Sequence, residues 1–329
     1  MQIISIFNNK GGVGKTTYMF HIAHILSRRG KSVLMVDLDT QGNLTGYCFE
    51  DTEISNAWSE NGNSIYRIIE PIVRGIGDFQ FKEPSKLQKA EGDVHLVPGD
   101  LRLSDFEDLL GDAWNAARGG SEAQIRVQTA IHRYIVQAAE YVGADIVMVD
   151  LGPNLGALNR VALASSDYFL TPVAPDLFSI QGTENLGNKL VSWSLQWAQI
   201  HSNWSGTGVE IPHGTPQYLG YVMQMHNVRS RGRNGMTDGW NIYGERIEGA
   251  VQENIAGKIG EGRVVPTGSN SLLLARIPNL HSLVPYSQEA RKPIFDCTGA
   301  DGLRGEHQTK AREAIELFED IVGVIEGVL

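Results

Sequence analysis

Residues 10–17 read Lys10-Gly11-Gly12-Val13-Gly14-Lys15-Thr16-Thr17. Glycines in this pattern let backbone N–H groups curl around phosphate oxygens, and a helix beginning at about Thr16 adds the positive end of its dipole. Lys15 is placed to reach β- and γ-phosphates, and the Thr16 hydroxyl to ligate Mg²⁺. The usual phosphate-loop pattern, Gly-x4-Gly-Lys-Thr, needs glycine at position 9. This chain has Asn9 there and an additional lysine, Lys10, inside the loop.

The flanks support that use of the loop. Ile3, Ile4, Ile6 and Phe7 form a short β-branched and aromatic run that reads as a strand. A helix follows, with Phe20, Ala23, His24 and Ile25 as core candidates and Gly30 as the residue just past its end. Ser32–Val36 reads as a buried strand ending at Asp37, so the first 37 residues form a β-loop-α-β unit with a right-handed crossover. Further strands are expected at Val94–Val97, at Ile146–Val149 ending at Asp150, at Tyr168–Val173 and at Tyr218–Met225. Helices are expected at 64–70, 101–110, 122–142 and 180–200. A single amphipathic tail helix is expected from Gln308, its stripe formed by Ala311, Ala314, Ile315, Phe318, Ile321, Val322, Ile325 and Val328. Residues 51–90 look less regular, with loop at 58–63, and 201–217 and 228–239 read as exposed loops. Strands alternating with helices imply one doubly wound α/β domain over residues 1–329, a mostly parallel sheet with helices on both faces.

Composition narrows the function. The chain has 329 residues, 42% hydrophobic and 20% charged, which excludes global disorder. Its two cysteines, Cys48 and Cys297, exclude a disulfide scaffold and a four-cysteine zinc site within one chain. No apolar run approaches the ~18 residues of a membrane span, and the N-terminus carries no signal-peptide pattern. A cytoplasmic location is expected. Net charge is −10, so any contact with nucleic acid must come from a local patch.

Lys10–Thr17 resembles the deviant phosphate loop of the ParA/MinD family of P-loop ATPases. The stretches 36–45 (VDLDTQGNLT), 94–107 (VHLVPGDLRLSDFE), 146–182 (IVMVDLGPNLGALNRVALASSDYFLTPVAPDLFSIQG) and 277–296 (IPNLHSLVPYSQEARKPIFD) resemble further segments of that family, in order. The likeness is least at about 201–217 and 228–270. Gln41-Gly42-Asn43 and the surroundings of Asp150 favour the ParA (Soj-like) branch over MinD. The resemblance implies a P-loop NTPase fold of the deviant Walker A class, with ATP and Mg²⁺ as cofactors and an ATP-dependent homodimer. It implies that Lys10 is the signature lysine reaching the partner's nucleotide, in the manner of an arginine finger supplied in trans. Gly11, Gly12, Val13, Gly14, Lys15, Thr16 and Thr17 would hold the phosphates and Gly152 would approach the γ-phosphate. Asn227, Ile277 and Pro278 would surround the adenine. Asp39 would position the attacking water, with Lys10 and Lys15 as its catalytic companions. Thr16 would bind Mg²⁺ directly, and Asp37 and Asp150 through water. The chain departs from the family at Thr40, where proline is usual, and at Gly152-Pro153-Asn154, where Pro-Pro-Ser is usual.

The remaining signals are local. Arg229, Arg231 and Arg233 form a basic run that reads either as a phosphate-contacting patch for non-specific DNA or as a solvated loop. Site-specific DNA readout is not expected, because the loop starts at the N-terminus and leaves no room for a helix-turn-helix ahead of it. His21 and His24 read as core histidines. Beyond Arg312 the tail helix carries Glu313, Glu316, Glu319, Asp320 and Glu326 and no lysine or arginine, so anionic lipid would repel it. The expected function is a slow ATPase switch that binds non-specific DNA as a dimer for DNA partition, stimulated by a ParB-type partner and nucleoid-associated. The alternatives are a scaffold positioning a non-DNA protein cargo, or a metabolic relative such as an iron–sulfur reductase or ATP-dependent ligase.

Overall fold

The computed structural model describes residues 1–225, 238–266, 271–280 and 282–329. The chain runs β1 (Gln2–Ile6), α1 (Lys15–Arg28), β2 (Val33–Leu38), α2 (Asn43–Cys48), α3 (Asp51–Trp58), α4 (Ile65–Val73), β3 (Ser85–Lys86) and β4 (Val94–Val97). It continues with α5 (Leu103–Arg118), α6 (Glu122–Val142), β5 (Ile146–Leu151), α7 (Ala157–Ala164), β6 (Tyr168–Val173), α8 (Leu177–Asn203) and β7 (Gln217–Met225). The last elements are α9 (Asp238–Val251), α10 (Gly257–Ile259), β8 (Leu273–Pro278), α11 (Val284–Ala290), α12 (Glu306–Glu313) and α13 (Glu319–Glu326).

The strands form one eight-stranded sheet in the order β3-β4-β2-β5-β1-β6-β7-β8. All neighbours are parallel except the two-residue β3, which runs antiparallel to β4. Parallel strands covered on both faces should be apolar throughout, and β5 meets that condition from Ile146 to Val149, ahead of Asp150. Val147 and Val149 point into the core shared with α4 to α8, while Ile146 and Met148 point into the core shared with α1, α2 and α13. The sheet is therefore doubly wound, as the sequence implies. The first crossover turns right after α1 at Gly30, whose φ of 84° supplies the left-handed residue past the helix end.

Two expectations are corrected. Residues 51–58 are helical, because Glu50 and Glu53 form a reciprocal capping box at the start of α3. The tail is not one helix: a 3₁₀ stretch at Ala314–Phe318 separates α12 from α13. Tightening to about three residues per turn carries Ala311, Ala314, Phe318 and Ile321 all inward. The stripe is thereby consumed in packing: Phe318 lies edge-on to Tyr18 at 6.0 Å and stacks on His21 at 5.2 Å. Phe318→Ala is expected to destabilise the fold by ~3–5 kcal/mol, the usual range for emptying a buried aromatic site. Urea unfolding checks this, and a change under ~1 kcal/mol would mean the tail is not part of the cooperative core.

His21 and His24 are core residues, as expected. The His21 Nε2 accepts from the Ile294 N–H at 2.9 Å, so Nδ1 carries the proton and donates to the Thr17 carbonyl at 2.6 Å. No helix among the described residues is long and apolar enough to cross a membrane.

Candidate active site

Parallel strands in one sheet deliver all their C-terminal ends to the same edge, and α/β sheets bind ligands there. The loops after β1, β2 and β5 meet at that edge. Gly11, Gly12, Gly14, Lys15, Thr16 and Thr17 line a cavity of about 230 Å³ with Asp39, Gln41, Asn43, Tyr47, Pro153 and Gln288. The loop turns through left-handed backbone at Gly14, φ 85°. A Cβ there would come within 2.8 Å of the Tyr18 ring, so both conformation and space require glycine. Val13 points the other way, into the core.

Lys15 opens α1 and is only 8% exposed. Its ammonium donates to the Asn8 and Lys10 carbonyls, each at 3.2 Å. Burial lowers its pKa, while the Asp150 and then the Asp39 carboxylates oppose that shift. Asp37 and Asp150 are register partners on β2 and β5, both fully buried. Burial, reinforced by the neighbouring Asp37, raises Asp150 to about 8; burial raises Asp37 to about 6. Asp150 and Asp39 face one buried lysine, and because burial disfavours the charged form of Asp150, a cation bound there would stabilise its carboxylate.

The Thr16 hydroxyl donates to Asp150 Oδ2 at 2.7 Å, whereas the buried Asp150 Oδ1 has no partner among the described residues. A buried carboxylate oxygen left unpaired beside a threonine hydroxyl fits a hard divalent cation. Among the described residues no three His, Cys, Asp or Glu side chains form a metal cage of their own. That suits Mg²⁺, which is usually held by one or two protein groups plus phosphate oxygens.

Asp37 has another engagement. Its Oδ2 accepts from both the Thr45 N–H at 2.8 Å and the Thr45 hydroxyl at 2.7 Å, and its Oδ1 accepts from the Asp39 N–H at 3.1 Å. Thr45 in turn accepts from the Gly99 N–H at 2.7 Å. Asp37 thus ties β2 to α2 and to the turn after β4, and it does not line the open cavity. Asp39 does. Its Oδ1 accepts from the Gln41 N–H at 3.1 Å and its Oδ2 from the Asn43 side chain at 2.9 Å. A Cβ on Gly152 would lie 3.0 Å from Asp39 Oδ1, so glycine keeps the β5 loop close to that carboxylate.

Lys10 pairs within its own chain with Asp176, the residue that caps α8 through the Ser179 N–H. Sequence reasoning did not single out Asp176, which lies 166 positions away. It also missed Asn159, whose amide donates to the Gly152 carbonyl at 2.9 Å and the Asn154 carbonyl at 2.7 Å, clamping the loop after β5. The available signal was a polar residue on the buried face of an apolar helix. Beyond the loop, Gly12, Gly14, Thr17 and Tyr18 share a second cavity of about 170 Å³ with Gln224, Pro278, Leu280 and Val284. Pro278 lines it as expected. Ile277 is buried in the core and has only its main chain to offer. Asn227, Arg229, Arg231 and Arg233 lie outside the described residues. Cys48 and Cys297 are free and buried, and burial holds both thiols above the ordinary range, Cys297 at about 11.

Comparison with known proteins bears on the family and the fold. The family described as an AAA domain matches residues 1–197. The chromosome-partitioning ATPase Soj of Thermus thermophilus is 32% identical over 183 residues, 56% of this chain and 59% of Soj. Other curated relatives are matched over between 42% and 68% of their own length. The crystal structure of protein DIP2308 from Corynebacterium diphtheriae superposes with a TM-score of 0.64 at 30% identity, over 88% of this chain and 97% of that one. An ATP complex of Cyanothece McdA superposes with a TM-score of 0.65 over 99% of this chain and 96% of that one, and at 13% identity it speaks for the fold alone. The match over residues 1–197, the ordered motifs and the deviant phosphate loop together place this chain in the AAA domain family, within its ParA/MinD group of P-loop ATPases.

Proposed function

We propose that the protein is a ParA-type switch in which ATP and Mg²⁺ drive dimerisation and slow hydrolysis reverses it, carried by one domain over residues 1–329. The observation that supports this most is the arrangement at the sheet edge: a glycine loop, the buried Lys15, Thr16 against a half-unpaired Asp150, and Asp39 oriented over the same cavity. Lys15 and the loop N–H groups hold the triphosphate. Thr16 would ligate Mg²⁺ directly and Asp150 through water; the bound ion supplies charge neutralisation on the phosphates. Asp37 would support the water shell indirectly, by holding the Asp39 backbone N–H. Asp39 orients the attacking water. Lys10 leaves Asp176 and reaches the partner's triphosphate, so departure of the γ-phosphate removes the interaction that favours the dimer. Asn227, the Ile277 main chain and Pro278 border the adenine.

The output is read by likeness to the relatives: the dimer binds non-specific DNA through Arg229, Arg231 and Arg233, associates with the nucleoid and is stimulated by a ParB-type partner. Pairing two modest basic patches multiplies avidity. Replacing Arg229 and Arg231 together by alanine is expected to reduce the log–log salt slope of ATP-dependent DNA binding by about 0.9 for each phosphate no longer neutralised. Titration of random-sequence duplex across a salt series reads this, and an unaltered slope would place the DNA-binding surface elsewhere. The net charge of −10 favours a second reading, a dimer that positions a protein cargo instead of DNA. Absence of any ATP-dependent, salt-sensitive DNA binding in the same titration would favour it.

A further inference from the structure

The cavity next to the phosphate loop holds two buried polar atoms that the protein leaves unsatisfied. Gln224, on β7, is 7% exposed, and its Oε1 has no hydrogen-bond partner among the described residues. Tyr18, on α1, is 2% exposed, and its hydroxyl is equally without one. Both line the same space, whose walls are Gly12, Gly14 and Thr17 of the phosphate loop and the apolar Pro278, Leu280 and Val284. Leaving a buried polar group unpaired is costly, so two in one cavity call for a partner that supplies both hydrogen-bonding character and a flat apolar body.

We infer that Gln224 selects the base, its carboxamide accepting from the N6 amino group of adenine and donating to N7. This inference deepens the nucleotide-site reading and rests on it. A carboxamide matches the N6/N7 edge of adenine in two parallel hydrogen bonds. Guanine presents an acceptor, O6, in place of the amino group, so the same carboxamide oxygen would face another oxygen. The Tyr18 hydroxyl stays protonated, because burial raises its pKa far above the ordinary phenol range, and it donates to a ring nitrogen of the same base. The apolar wall at Pro278, Leu280 and Val284 packs on the ring and adds no preference between purines.

The test is competition against a fluorescent ATP analogue, with Mg²⁺, for ATP, GTP, 7-deaza-ATP and N6,N6-dimethyl-ATP, on the wild-type chain and on Gln224→Leu. ATP is expected to bind the wild type about tenfold tighter than GTP or either modified nucleotide, each of which forfeits one of the paired hydrogen bonds (within the 1–3 kcal/mol typical of bidentate base pairs). Gln224→Leu is expected to bring ATP and GTP within about twofold of each other. Equal binding of all four nucleotides to the wild type, or undiminished discrimination by Gln224→Leu, would overturn the assignment. The modified nucleotides keep the test decisive should the variant fail to fold. Binding of ATP and GTP with equal affinity removes only the role of Gln224; binding of neither removes the nucleotide-site reading as well.

Discussion

Lys15→Ala is expected to weaken ATP binding by ~100-fold or more while the chain still folds. The argument starts from charge. Lys15 is the buried cation beside Asp150 and Asp39, and its ammonium rests on two carbonyls, Asn8 and Lys10. Those two hydrogen bonds use part of its donor capacity, and one of its three N–H groups is left to meet a phosphate. A charge-assisted hydrogen bond contributes about 1.5–3 kcal/mol, and every 1.4 kcal/mol is tenfold in affinity. Alanine removes that bond and also the positive charge that faces Asp150 and Asp39, so an incoming triphosphate loses its nearest buried cation. The two effects together exceed two factors of ten. Titration with a fluorescent ATP analogue reads the loss, and thermal melting without nucleotide controls for the fold. Affinity within about threefold of wild type would contradict the assignment of residues 10–17 to phosphate binding.

That loop was legible because its chemistry is local. Glycines, lysine and threonine stand within eight consecutive residues, and the strand and helix that flank them carry their own patterns. β5 was legible for a related reason: burial on both faces demands an unbroken apolar run, and Ile146–Val149 supplies one before Asp150. What escaped depends on neighbours far apart in sequence or on unusual local signals. The α3 helix is capped by Glu50, outside the Ser, Thr, Asp and Asn set that normally announces a helix start. The break in the tail leaves the apolar spacing intact, since positions three apart suit a 3₁₀ turn as well as an α-helix. Asp37 read as a site acid because it ends a strand beside Asp39, but Thr45, itself held by the Gly99 N–H, engages its carboxylate from an element the strand pattern does not reveal. Asp176, Asn159 and Gln224 are single polar residues whose meaning appears only when β6, α7 and β7 bring them to the sheet edge.

Asp39→Ala separates binding from turnover, and its expected outcome is a protein that holds ATP and cannot release itself. Asp39 makes no hydrogen bond to residues 10–17. Its oxygens are held instead by the Gln41 N–H and the Asn43 amide, both on its own turn. Affinity for ATP should therefore stay within about threefold of wild type, and losing one anion near the phosphates favours the tighter side of that range. Hydrolysis is different, because the water must be aligned and relieved of a proton as it attacks. Positioned carboxylates typically contribute 10²–10⁴-fold to such steps, so turnover should fall at least ~100-fold. If hydrolysis is what dissolves the dimer, the variant accumulates as a dimer with ATP, and light scattering of the sized protein gives a mass near twice 36.1 kDa. Adding Lys10→Ala should return that species to the monomer, since the cross-subunit cation is then gone although ATP remains bound. Unchanged phosphate release in Asp39→Ala would remove Asp39 from the chemistry. A dimer that survives the added Lys10→Ala would show that the subunits are held by something other than a lysine lent across the interface.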